Sequence, residues 1–145
     1  MRVVLQRVSE ASVEVSNNNI SSTGQGLLLL VGASQGDTVK NADYLADRIL
    51  GLRIFEDKEG KMNFSIAEVG GQLLAVSQFT LSADISKGRR PSFSTAMAPD
   101  QALGLFDYFV SKLRESGLTV KTGEFGAKMK VHLINDGPVT FVLEG

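Results

Sequence analysis

The sequence predicts an α+β fold, a mostly antiparallel β-sheet with two main helices, on three observations. Runs rich in β-branched residues crowd both ends of the chain, the hydrophobic period switches to helical spacing twice, and capping or turn residues bracket each switch. Arg2 to Val8, Ala11 to Val15 and Ile20 to Ser22 are short strands, with Asn17-Asn18-Asn19 as a turn before the third. Gly24 and Gly26 introduce Leu27 to Val31, apolar on both sides as a central buried strand is. Val39, Ala42, Leu45, Ala46 and Ile49 then share a helical face, with Asp37 or Thr38 as cap and Gly51 at the end. Gly71 to Leu81 reads as one strand. Pro99 suits a first helical position, Leu103, Phe106, Val110 and Leu113 recur at helical spacing, and Gly117 marks the stop. Thr119 to Thr122, Lys128 to Ile134 and Val139 to Glu144 return to strand character.

Composition narrows the classes of function. The 145 residues, 43% hydrophobic and with only three prolines, are expected to form one domain, 1-145, without a linker. A formal net charge of -1 excludes the broad basic face of a non-specific nucleic-acid binder, so any nucleic-acid partner is gripped locally. Absence of cysteine excludes a disulfide framework, a thiol nucleophile and cysteine-ligated zinc. With one histidine and scattered carboxylates, no metal or other cofactor is expected. Polar residues break the start too early for a secretory segment, and Leu27 to Val31 is too short to span a bilayer; a cytoplasmic protein with no membrane partner is the expectation.

Two words break local rules, as functional sites do. The first is Ser77-Gln78-Phe79-Thr80-Leu81, at the end of an apolar run. On a continuous strand Gln78 and Thr80 point the same way, either to solvent or toward a polar substrate. If the strand stops there, peptide N–H groups around Phe79 and Thr80 are available to an oxyanion. The second word, Asn135-Asp136-Gly137-Pro138-Val139-Thr140, interrupts what is otherwise a long strand. Pro138 removes a ladder donor and Gly137 lets backbone approach a ligand closely; a hairpin or bulge between two strands explains the same residues.

Together these words closely resemble the signatures of the D-aminoacyl-tRNA deacylase family, Ser-Gln-Phe-Thr and Gly-Pro-Val-Thr. The resemblance runs almost end to end. It takes in Gln6-Arg7-Val8, Gly51-Leu52-Arg53-Ile54-Phe55, Lys61-Met62-Asn63, Arg90-Pro91-Ser92-Phe93 and Thr122 to Met129. It implies a barrel-like, homodimeric hydrolase that cleaves the ester between a D-amino acid, or glycine, and the 3′-terminal adenosine of tRNA. It further implies a cis Gly137-Pro138 bond that enters the other subunit's site as a main-chain filter against L side chains, with Arg7 bracing that loop across the dimer. Phe125 and Met129 are implied in the adenosine pocket, although aromatics in strands are ordinarily core.

The catalytic expectation follows from how few bases the sequence offers. An aminoacyl ester is already activated, so placement, oxyanion binding and water suffice. Gln78, Phe79 and Thr80 are assigned those tasks, with Ser77 beside the substrate; the resemblance further implies that the terminal 2′-hydroxyl assists. Thr80 as nucleophile is the minor alternative, since no base adjoins it. His132 is expected to be a strand-face residue. Lys87, Arg89 and Arg90 form the densest basic cluster, either a solvated loop or a contact for the acceptor stem. The rival functions are a non-catalytic nucleic-acid-binding module and an editing module attached to a synthetase. The mild acidity argues against the first, and the lack of an appended domain favours a free-standing enzyme.

Overall fold

A computed structural model describes residues 1–86 and 88–145. Lys87, one of the three cations of the basic loop, lies outside the described residues. The two predicted N-terminal strands are one, β1 (Arg2–Val15), followed by β2 (Asn18–Thr23) and β3 (Gly26–Gly32). Helix α1 (Val39–Gly51) and the small pair β4 (Phe55–Glu56) and β5 (Met62–Phe64) come next. Then follow β6 (Gln72–Ser77), a 3-10 turn (Phe79–Ser82), α2 (Pro99–Arg114), β7 (Val120–Thr122) and β8 (Met129–Glu144).

β1 organises the sheet. It pairs antiparallel with β8 along one edge, and with β3 and then β2 along the other. β3, β6 and β7 run parallel to one another, so the six-stranded sheet is mixed, with the antiparallel pairs all on β1. The parallel pairs need a crossover between consecutive strands, and α1 and α2 supply the two crossovers. Alternation in β3 and β6 places Leu27, Leu29, Leu73 and Ala75 in a core with α1 and α2. Leu28, Leu74 and Val76 face a second core with Val8, Ala11 and Val13 of β1. Both faces of β3 and β6 are thus covered, one by helices and one by the sheet curling back on itself, which gives the barrel-like shape.

The curl is made by irregular pairing. β1 and β8 shift register between Gln6 and Val8 and again between Val8 and Glu10. Val3 and Leu5 accordingly reach the helical core, whereas Val8, Ala11 and Val13 reach the other. A bulge increases twist and bends the strand it interrupts.

The helices form where the spacing predicts. α1 buries Ala42, Leu45, Ala46 and Ile49, and Asn41 Oδ1 accepts the Thr38 N–H at 2.6 Å, so Thr38 is the cap. Asp37 is engaged elsewhere, accepting from the Ser34 N–H and from the Met1 ammonium. α2 begins with Pro99 and buries Leu105, Phe106, Phe109, Val110 and Leu113 against α1, while Leu103 stays exposed. The Tyr108 hydroxyl donates to Asp43 Oδ1 across the helix pair at 2.9 Å. Among the described residues no helix is long and apolar enough to cross a membrane.

Candidate functional site

Parallel pairing directs β3, β6 and β7 so that their C-terminal ends emerge on one side, the usual location of ligand sites in parallel sheets. A cavity of about 630 Å³ opens there, within the size range of small-molecule sites. Val31 from the end of β3, Ser77, Gln78 and Phe79 from the end of β6, and Phe125 and Met129 beyond β7 all line it. Phe93, Met97 and Phe106 close it from the segment before α2 and from α2 itself. No side chain that lines it is titratable, so the interior is apolar, with Ser77 and Gln78 as its polar side chains.

The first signature does not continue as a strand. β6 stops at Ser77, the Gln78 N–H still donates to the Val31 carbonyl at 2.7 Å, and the chain then coils into the 3-10 turn. Gln78 and Thr80 nevertheless come together: Gln78 Nε2 donates to Thr80 Oγ1 at 2.5 Å. The turn's first bond runs from the Leu81 N–H to the Gln78 carbonyl at 3.2 Å, so the N–H groups of Phe79 and Thr80 precede it, where a helical turn supplies no internal acceptor. Phe79 is 59% exposed, and its ring rests on Phe93 with centroids 5.0 Å apart. Thr80 stands beside the cavity through its bond to Gln78.

Hydroxyl groups fasten the far end of the turn. Buried Ser82 donates to the Ala33 carbonyl at 3.1 Å and meets Ser34 Oγ at 2.9 Å, while Thr95 Oγ1 donates to the Ser82 carbonyl at 2.5 Å. Arg2 Nη1 donates to the Leu81 carbonyl at 2.8 Å. Gly32 lies directly beneath, where a Cβ would stand 2.9 Å from both the Gln78 carbonyl oxygen and Leu81 Cβ. Sequence reasoning does not single out Gly32, and it reaches Phe93 only within a word of the family resemblance, with no role. The available signal for Phe93 was an aromatic set among Ser and Pro residues, where no strand or helix needs one.

The second signature lies elsewhere in the same chain. Predicted as a break between two strands, it is a bulge within one, and the Gly137-Pro138 peptide is cis. Gln6 faces Thr140 and Val8 faces Asn135, so Arg7 alone stands opposite Asp136, Gly137, Pro138 and Val139. Gly137 and Pro138 are exposed, whereas Val139 is anchored in the helical core. Asn135 Nδ2 closes the base of the bulge by donating to the carbonyls of Arg7 and Val139. A Cβ on Gly137 would stand 2.4 Å from Asn135 Oδ1, so glycine is what fits.

Arg7 braces the bulge of its own chain. Its buried guanidinium serves its own chain, donating Nε to the Asp136 carbonyl at 3.0 Å and Nη1 to the Ile54 carbonyl at 2.6 Å. It also pairs with the carboxylates of Asp136 and Glu56. This bracing within the chain is possible because β1 and β8 are neighbours in one sheet, a pairing the sequence does not disclose.

The structure therefore brings Ser77, Gln78, Phe79, Thr80, Phe125 and Met129 together, and separately gathers Arg7, Gly137 and Pro138. His132 belongs to neither group. It faces Ser12 in the sheet, with Nε2 3.6 Å from Glu14 Oε2. The Lys130 ammonium, bonded to Glu14, is the main reason that carboxyl lies below its usual range. Among the described residues no group of three His, Cys, Asp or Glu side chains is placed to hold a metal ion.

Comparison with known proteins agrees with this geometry. Residues 4–144 match the family model described as D-Tyr-tRNA(Tyr) deacylase. The chain is 56% identical to a D-aminoacyl-tRNA deacylase of Geobacter sulfurreducens over 99% of its own length and 95% of that protein's. It is also 56% identical to one of Brevibacillus brevis, with 99% of each covered. Among solved structures, a c-Myc DNA unwinding element binding protein superposes with a TM-score of 0.94 at 44% identity, covering 100% of this chain and 99% of the other. A probable eukaryotic D-amino acid tRNA deacylase, 21% identical over 99% of this chain and 98% of its own, shares the fold with a TM-score of 0.82. With both signatures intact and the match extending over nearly every residue, this chain belongs to the D-Tyr-tRNA(Tyr) deacylase family.

Proposed function

We propose that this protein hydrolyses the ester of D-aminoacyl-tRNA and of mischarged glycyl-tRNA, releasing the free amino acid and tRNA. The observation that carries the reading is the uncharged cavity at the ends of the parallel strands, bordered by the first signature. The terminal adenosine occupies its apolar part, against Phe125 and Met129, with the aminoacyl carbonyl at Gln78, Phe79 and Thr80. Water adds to that carbonyl carbon, the N–H groups of Phe79 and Thr80 receive the oxyanion, and the C–O bond to the ribose breaks. With no base among the lining side chains, the proton is handled by the adenosine 2′-hydroxyl and solvent. Thr80 Oγ1 already accepts from Gln78 Nε2, which suits a hydroxyl that orients substrate better than a nucleophile.

The filter is supplied by a second copy. Gly137 and Pro138 do not line their own chain's cavity, yet they protrude on a rigid, braced bulge. Among the described residues β8 pairs only with β1, leaving its other edge open, with Ile134 56% and Val142 63% exposed. Open apolar edges invite pairing with a like edge, so a homodimer follows. Backbone placed against the substrate Cα rejects one enantiomer by sterics and ignores side-chain identity, which admits many D-residues and glycine.

Deacylation of D-tyrosyl- and L-tyrosyl-tRNA by the wild type, Thr80→Ala and Pro138→Ala tests the reading. The wild type is expected to clear the D-ester only, and Thr80→Ala to retain activity within about 100-fold. A loss on the order of 10⁴-fold or more is the scale of a removed nucleophile and would restore that role to Thr80. Equal rates on both esters would end the filter reading. A second reading, DNA binding without turnover, is suggested by the printed name of the 44%-identical structure. It predicts steeply salt-dependent DNA binding and no ester hydrolysis.

A further inference from the structure

We propose that Arg89, Arg90 and Lys128 bind the phosphodiester backbone of the nucleotides that precede the terminal adenosine, forming a short cationic rim on an otherwise uncharged cavity. The inference rests on the tRNA reading above and extends it from the terminal nucleoside to the strand that leads to it.

Three observations support it. First, the cavity lining as described offers no cationic side chain for a phosphate, although any polynucleotide seated there carries phosphates out through the mouth. Second, exposed cations close in sequence to lining residues are uncommitted. Arg89, Arg90 and Lys128 are exposed, and among the described residues none of them has a carboxylate partner. Lys130, by contrast, is held by Glu14 and Asn17. Third, both segments are tied to the cavity wall. Lys128 lies between Ala127 and Met129, which line the cavity. Arg90 precedes the lining residue Phe93 by three positions, so the chain limits their Cα separation to about 11 Å.

The arginine loop is fixed at its base. Asp84 and Ser92 pair antiparallel, with N–H···O bonds of 2.8 and 2.9 Å, and the Ser86 hydroxyl and N–H both donate to the Asp84 carboxylate. These bonds, the hydroxyl first, hold the Asp84 carboxyl below its usual range and occupy it with Ser86 rather than with an arginine. Exposed Ile85, at 75%, gives this loop an apolar shoulder beside its charges.

The test compares two substrates, D-tyrosyl-tRNA and D-tyrosyl-adenosine, which has no phosphate. Arg89→Ala/Arg90→Ala and Lys128→Ala are expected to raise KM for the tRNA about 3- to 10-fold per site, with kcat unchanged. Each lost contact should flatten the dependence of log KM on log salt by about 0.7 to 1. D-Tyrosyl-adenosine should be hydrolysed at the wild-type rate, and Arg89→Lys/Arg90→Lys should restore most of the tRNA affinity. An unchanged KM and salt slope on tRNA would overturn the inference. So would a parallel loss on both substrates, which would show that the loop acts by shaping the cavity through Phe93. If the wild type hydrolyses neither substrate, the parent reading has failed instead.

Discussion

Replacing Arg7 by alanine should loosen the Gly137-Pro138 bulge and lower stability by an amount the contacts allow to be worked out. The Ile54 carbonyl is buried and receives Arg7 Nη1 at 2.6 Å, so losing a charged donor there costs about 1.5–3 kcal/mol. The Asp136 carbonyl, partly buried, adds about 1 kcal/mol. The carboxylates of Glu56 and Asp136 are 54% and 45% exposed and rehydrate once the arginine is gone, so each adds no more than about 0.5 kcal/mol. The total, roughly 2.5–5 kcal/mol, is a large share of a typical folding free energy and corresponds to a fall in Tm of about 8–16 °C. Arg7→Lys should recover less than half, because one ammonium cannot fork to four acceptors on two segments. Thermal denaturation gives the first number, and D- against L-tyrosyl-tRNA deacylation gives the functional one. Selectivity should fall well below the melting temperature, since the bulge loses its brace before the core melts. A variant that melts within about 2 °C of wild type and keeps full discrimination would refute the reasoning.

Gly32→Ala should reduce kcat on the D-ester by roughly 10- to 100-fold while the protein stays folded, because the new methyl displaces the Gln78 carbonyl and Leu81 from beneath the signature. Gly24→Ala, which meets no atom within 4 Å, is the control and should match wild type in both kcat and Tm. Alkaline stability should depend on Tyr108. The bond to Asp43, and after it burial, raises the phenol pKa in the folded state, so its contribution is complete below the unfolded value of about 10 and is lost as pH rises through the higher folded value. Tyr108→Phe should have the lower Tm at neutral pH and a flatter Tm profile above about pH 10; parallel profiles would sink that assignment.

Hydrophobic period was enough to find α1, most of α2 and the doubly buried β3, because those elements are fixed by which face is covered. Leu103 was misplaced since spacing alone does not tell whether the first turns of a helix have a neighbour. The two signatures were visible as breaches of local rules, but their geometry was not. Alternation continued through Gln78 and Thr80 as though the strand did, and the 3-10 turn depends on a glycine in another strand and on hydroxyls more than ten residues away in either direction. Arg7 is the clearest case. A buried arginine in a β-rich segment becomes intelligible only when β8 is seen beside β1, a pairing of residues at opposite ends of the chain. Long-range register is what a single sequence withholds, and the bulge is a register event.

The mixed sheet explains why the cavity and the bulge have different homes. Parallel strands deliver their ends to one side and leave exposed peptide groups there, which suits a pocket that positions an activated ester with few side chains. Antiparallel pairing between β1 and β8 does the opposite: it runs past itself, so an excess of residues on one strand must protrude. The protrusion is stiff because its base is bonded at both sides, to Asn135 and to Arg7, and because Val139 sinks into the core directly after it. A stiff backbone wedge serves a filter, as proposed, better than a side chain would, for a side chain can rotate away from an L-residue at the cost of a rotamer change, whereas a braced main chain can yield only by breaking the bonds that hold it.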